Sequence, residues 1–154
     1  MSREQELSRR IAMGTTRGRM ALVNDDKKLQ QVQVELLADE TKDNVERFQQ
    51  YGFTSVPLEG AEALVVFLGG GRDHGIVFAI DDRRYRLTKL EAGDVALYTD
   101  EGTKIVLGRK QQITITADTL KLDCSHIIVD GDTLEISASD SIKITSPSVD
   151  VNES

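Results

Sequence analysis

One cysteine, two prolines and no tryptophan occur in 154 residues, and aromatic side chains make up only 5% of them. A single thiol, Cys124, cannot staple the chain to itself, so stability must come from burial or from other chains. Scarce proline, with 39% hydrophobic and 29% charged residues, fits a folded chain and excludes a low-complexity or disordered one. Basic charge is also short. Nineteen lysines and arginines face 26 aspartates and glutamates, a formal net charge of −7, which disfavours a sequence-independent grip on phosphate backbones. No window approaches the roughly 18 uninterrupted apolar residues of a membrane helix. The opening MSREQELSRRIAMG lacks the apolar core of a secretory signal, so no signal peptide is expected and synthesis and assembly are expected in the cytosol. The length suits one ordinary domain, or a small domain with an elongated appendage.

What is present falls into four stretches. Residues 1–16 carry Leu7, Ile11 and Met13 among charges, a pattern for an arm or short helix ending at Gly14. Residues 17–86 are short apolar runs separated by turn residues. RGRMALV and LQQVQVELL flank Asn24-Asp25-Asp26 as a hairpin, and ADETKDNVERF is polar enough for a helical turn or a loop. YGFTSVP and ALVVFL flank a turn at Pro57 to Gly60, and GGGRDHG separates ALVVFL from GIVFAI. About five short strands of this kind predict a small, closed or nearly closed β-barrel of OB-fold size. Residues 87–104 form a transition with turn signals around Val95-Ala96-Leu97-Tyr98.

Residues 105–154 repeat. Apolar pairs fall at Ile105/Leu107, Ile113/Ile115, Leu120/Leu122, Ile127/Val129, Leu134/Ile136, Ile142/Ile144 and Val149/Val151, their first members advancing by 8, 7, 7, 7, 8 and 7 residues. Spacing by two puts both members of a pair on one strand face. One ribbon of such short strands has an apolar face and no second layer, which is unstable in water. Three copies around a threefold axis would cover one another and remove exposed edges. The expected fold is therefore all-β, an N-terminal OB-fold-like barrel followed by an intertwined homotrimeric β-helix whose core is those fourteen residues. Eight carboxylates and two lysines within residues 111–154 place six of the seven net negative charges there, as expected of a solvated outer face.

Other chemistry is weaker. Gly69-Gly70-Gly71-Arg72-Asp73-His74-Gly75 offers a glycine-rich loop, a base and a cation, but it precedes a strand and lacks phosphate-loop spacing, so a hairpin turn is expected. Cys124 and His126 are spaced for an ion ringed by three chains, against the simpler expectation of an outer or partly packed face. A seven- to eight-residue repeat does not match the six-residue repeat of left-handed β-helix acyltransferases. The segment DDRRYR, with Arg83, Arg84, Arg86 and Tyr85, is the best candidate for a single-strand-binding groove and Arg17 with Arg19 the next, the alternative function being an OB-fold nucleic-acid-binding module with an acidic tail. No catalytic arrangement emerges, and no enzyme activity, cofactor or metal site is expected.

The segments RGRMALV, VQVELLADETKDNVERFQQYGFTSVPLEGAEALVVFLGGGRDHGIVFAIDDRRYR and EAGDVALYTDEGTKIVL closely resemble the central spike of Mu-like contractile-tailed phages, the baseplate assembly protein V family. Order and spacing are kept through the barrel and the transition. The resemblance implies a homotrimer in the virion tail baseplate, assembled in the host cytoplasm, with barrels attached to baseplate hub and tail tube proteins. It implies a β-helix driven through the host outer membrane on sheath contraction, and no nucleic-acid partner. Members of that family often bind iron at the apex through His-x-His from each chain. His74 and His126 are the only histidines here, so that site is not expected; the tip differs, another protein caps it, or the chain stops short of the apex.

Overall fold

In the computed structural model, which describes residues 2–12, 14–37 and 40–149, five strands wind into a barrel that closes on itself. They are β1 (Thr15–Asn24), β2 (Gln31–Leu36), β3 (Thr41–Arg47), β4 (Glu62–Phe67) and β5 (Gly75–Asp81), and they neighbour one another in the order β1-β2-β3-β5-β4. β4 returns to pair with β1, Thr15 opposite Val66 and Arg19 opposite Glu62. The remaining seam is a short parallel one, Glu46 beside Ile76 and Arg47 beside Val77. Closure leaves no free edge in the barrel, and the arrangement is consistent with an OB-like fold.

Alternation builds the core. Met20 of β1, Val32, Val34 and Leu36 of β2, Val45 of β3, Ala63, Val65 and Phe67 of β4, and Val77 of β5 all point inward and are buried. The outward positions between them are more accessible, so β2 and β4 show the two-residue period cleanly. β1 and β2 form the expected hairpin, and β4 and β5 the next one, turning through Leu68–Gly70, where Gly69 has φ 68°. β1 is thinned at Gly18. A β-carbon there would press on the Val34 side chain and come within 2.9 Å of both the Glu35 carbonyl oxygen and Leu36.

Two expectations are corrected. ADETKDNVERF holds β3 where a helical turn or loop was expected, and YGFTSVP holds no strand, lying in the long connection between β3 and β4. β3 was hidden because only Val45 faces fully inward; Thr41, Asp43, Asn44 and Glu46 are exposed, and the strand is held by its backbone pairing with β2 and β5. The arm is helical as expected. α1 (Arg3–Ala12) starts at a capping box, in which the Gln5 N–H donates to Ser2 Oγ (3.2 Å) and the Ser2 N–H donates to Gln5 Oε1 (2.9 Å).

After the barrel, β6 (Val95–Tyr98), β7 (Lys104–Leu107) and β8 (Ile113–Thr116) form an antiparallel sheet in sequence order. The chain divides into two compact units, Met1–Asp118 and Thr119–Ser154. Among the described residues of the second, no helix or strand is assigned.

The β4–β5 turn is fastened by charge. Arg72 donates two hydrogen bonds to the Glu40 carboxylate and lies 5.1 Å from the Phe67 ring centre, and Lys42 Nζ is 3.2 Å from Glu40 Oε1. Partial burial pushes the Glu40 carboxyl up, but hydrogen bonds from Arg72 and Lys42, with their charges, outweigh it and hold the group below the ordinary glutamate range. A carboxyl depressed in the folded state stabilises it above the unfolded value, about 4.3, and that contribution is lost as pH falls through this range. In thermal melts the stability gap between the natural chain and Glu40→Gln is expected to be largest at neutral pH and to close on acidification; a pH-independent gap would refute the assignment. Gly18→Ala is expected to destabilise the barrel by about 1–3 kcal/mol in denaturant titration, because the Glu35 backbone cannot yield as a side chain could.

Candidate functional site

The register of the three-stranded sheet decides which side chains share a face. Val95 lies opposite Leu107, Leu97 opposite Ile105, Ile105 opposite Ile115, and Leu107 opposite Ile113. Period-two alternation therefore places Val95, Leu97, Ile105, Leu107, Ile113 and Ile115 on one side, two apolar residues from each strand. All six are exposed in the single chain, from 38% to 64%. The opposite side carries Ala96, Tyr98, Lys104, Val106, Thr114 and Thr116.

Four of these residues were expected from the repeat; Val95 and Leu97 were not. They have the same spacing by two, but ten residues separate Val95 from Ile105, so the seven- to eight-residue step does not reach them. What adds them is the cross-strand register. Among the other expected residues, Leu120, Leu122, Ile127, Val129, Leu134, Ile136, Ile142, Ile144 and Val149 are all more than half exposed, and Val151 lies outside the described residues. Local contacts in that unit are sparse: Cys124 Sγ–H donates to the His126 carbonyl (3.3 Å), and Ser146 Oγ–H to the Ser148 carbonyl (2.6 Å).

The barrel's polar clusters are engaged internally. Arg47 donates to Gln30 Oε1 (2.7 Å), the Ser55 carbonyl (2.6 Å) and Ser55 Oγ (2.8 Å). Gln30, only 5% exposed, donates in turn to the Ser55 carbonyl (3.1 Å) and Asp25 Oδ1 (2.5 Å). Burial pushes the Arg47 guanidinium below the ordinary arginine range, against a smaller opposing pull from Asp25. The network ties the β3–β4 connection to the barrel wall.

In DDRRYR, Arg84 donates to both Asp82 oxygens (2.9 and 2.6 Å) and to the Glu59 carbonyl (2.8 Å), and Arg83 Nη2 donates to Glu62 Oε2 (2.8 Å). The hydrogen bond from Arg84 holds the Asp82 carboxyl below its ordinary range, and the same bond raises Arg84. Tyr85 lies under Arg84, 5.2 Å from its ring centre. Two of the three arginines of DDRRYR are thus occupied by carboxylates, and the nucleic-acid alternative gains no support. Arg72 of the glycine-rich loop is likewise held by Glu40, consistent with a hairpin turn. Among the described residues no cluster of three His, Cys, Asp or Glu side chains is placed to hold a metal.

Comparison with known proteins points one way. The family described as "Bacteriophage Mu Gp45, N-terminal" matches residues 17–84, a stretch that takes in nearly all of the barrel. The baseplate puncturing device gp45 of Escherichia phage Mu is 46% identical over 116 residues, which are 75% of this chain and 59% of that protein. The Mu-like prophage FluMu protein gp45 of Haemophilus influenzae is 37% identical over 132 residues, 86% of this chain and 68% of that protein. The chain thus spans between about three-fifths and two-thirds of these relatives' lengths.

In fluorescence anisotropy at moderate salt, a labelled single-stranded oligonucleotide is expected to show no micromolar binding. Salt-sensitive micromolar binding would restore the nucleic-acid role.

Proposed function

The chain belongs to the bacteriophage Mu Gp45 family, and on that premise we propose that it is a structural subunit of the central spike of a contractile phage tail baseplate. Three copies assemble around one axis. The barrel, residues 17–86, attaches to baseplate hub and tail tube proteins. The ladder, residues 105–154 with Val95 and Leu97 as an earlier rung, forms an intertwined β-helix that pierces the host outer membrane when the sheath contracts. Its work is mechanical, with no catalysis, no cofactor and no nucleic-acid partner.

The observation that carries this proposal is the aligned, uncovered face of β6, β7 and β8. Burying an aliphatic side chain fully is worth roughly 1.5–3 kcal/mol. Six such residues in register, followed by pairs repeating every seven or eight residues, represent tens of kcal/mol at the upper bound if other copies cover them. A single chain exposes the six and every described member of the later pairs. β6 and β8 are also sheet edges, whose free backbone groups invite pairing by another chain. An interlocked rod in which these edges are used unfolds slowly and transmits force. The name of the phage Mu relative, a baseplate puncturing device, agrees with that mechanical role.

Light scattering after size exclusion is expected to give three times 17.0 kDa, and an unheated SDS gel to retain the trimer. A monomer at micromolar concentration would overturn the proposal. Ile136→Lys, which puts a charge into the middle of the ladder, is expected to lower the mass to one chain while the barrel still melts cooperatively.

A further inference from the structure

Residues 48–58 are the longest stretch of the chain without a charged side chain, eleven residues in a protein where 29% are charged. Such runs ordinarily form core strands. This one is the connection between β3 and β4, and Phe48, Tyr51, Phe53, Val56 and Leu58 on it are exposed, Phe53 at 63%. Across from it stand Phe78 of β5, 65% exposed, and Leu97 and Tyr98 of β6; with Phe48 and Phe53 they line a groove of about 910 Å³. Several aromatic side chains gathered at one exposed groove mark a protein contact.

The groove is also pre-shaped. Besides the Arg47 and Gln30 network on Ser55, the Phe48 N–H donates to the Val77 carbonyl (3.2 Å) and the Ser55 N–H to Gln49 Oε1 (2.8 Å). A loop held this way before a partner arrives loses little conformational freedom on binding.

We propose that this groove seats a second copy of the chain, so that the homotrimer contact runs without interruption from the ladder onto the barrel. The proposal rests on the trimeric reading above and extends it to the barrel. Three observations select this occupant. Leu97 belongs both to the groove and to the register-aligned apolar face, so covering one side of β6 brings the neighbouring copy to the groove. Each copy carries a net charge of −7, and copies approach with least repulsion along a surface that, like this groove, presents no carboxylate. Arg47, the one charged residue lining the groove, is committed to Gln30 and Ser55, which removes the free cations that a single nucleic-acid strand would need beside the aromatics. In a threefold ring such a contact is heterologous, the groove of one copy receiving a different surface of the next.

Thiol labelling tests this on the full chain. In a Cys124→Ser background, Thr54→Cys and Ala79→Cys place small thiols in the groove without removing an aromatic, and Asp26→Cys serves as a control on an exposed turn; all three positions are exposed in the single chain. Maleimide is expected to modify positions 54 and 79 about tenfold or more slowly than position 26 in the native particle, with rates converging in denaturant. Equal native rates in a particle of three-chain mass would overturn the inference and leave the groove open for a different protein. A one-chain mass in the same samples would overturn the trimeric reading itself, and this inference with it.

Discussion

An apolar strand face must have something dry against it, and most of this molecule is organised by how that requirement is met. The barrel meets it alone: five strands curve until β4 reaches β1, and Met20, Val34, Val65 and Val77 fill the enclosed space. The sheet of β6, β7 and β8 cannot. Its strands are four residues long, and three of them in sequence order give a single layer with two open edges. The two parts of the chain therefore stand in different relations to water, one satisfied within itself and the other left with aligned aliphatic side chains in the open.

Charge follows the same division. On the barrel, carboxylates and guanidinium groups pair at short range: Glu40 with Arg72, Asp82 with Arg84, Glu62 with Arg83. They pin turns and connections to the wall and leave little unpaired basic surface in DDRRYR. Beyond residue 111, carboxylates outnumber lysines eight to two. Lys121 and Asp123 come to 3.9 Å, but both are more than four-fifths exposed, so the pair is worth little. An excess of one sign keeps a long apolar repeat soluble and acts against unspecific association, while the two-residue alternation leaves one face free of charge. The chargeless connection at residues 48–58 brings the same property to the barrel.

How much could be read from the chain alone depended on where the signal lay. Apolar runs bounded by turn residues made β1, β2, β4 and β5 legible, and in β2 and β4 three residues at every second position are buried. β3 was not legible, because its one buried side chain, Val45, stands among Thr41, Asp43, Asn44 and Glu46, and the strand is held by backbone hydrogen bonds that every sequence can make. YGFTSVP misled for the opposite reason: it has the aromatic and β-branched content of a strand, yet its apolar side chains face outward from a loop. The repeat was legible through its seven- to eight-residue step, and Val95 and Leu97 escaped it because Val95 precedes Ile105 by ten positions.

The sequence by itself determined that this chain is β-rich, that it has a barrel-sized first part and a periodic second part, and which side chains of each pair share a strand face. Those are consequences of local geometry, since side-chain alternation depends only on the two-residue pleat. Only the tertiary structure decided that β3 closes the barrel beside β5, that Val95 and Leu97 line up with Ile105 and Leu107, that Arg83 and Arg84 of DDRRYR are occupied by carboxylates, and that residues 48–58 open beside Phe78 and Leu97. Each of these depends on contacts between residues distant in sequence, and neither the period nor the composition of a single segment encodes them.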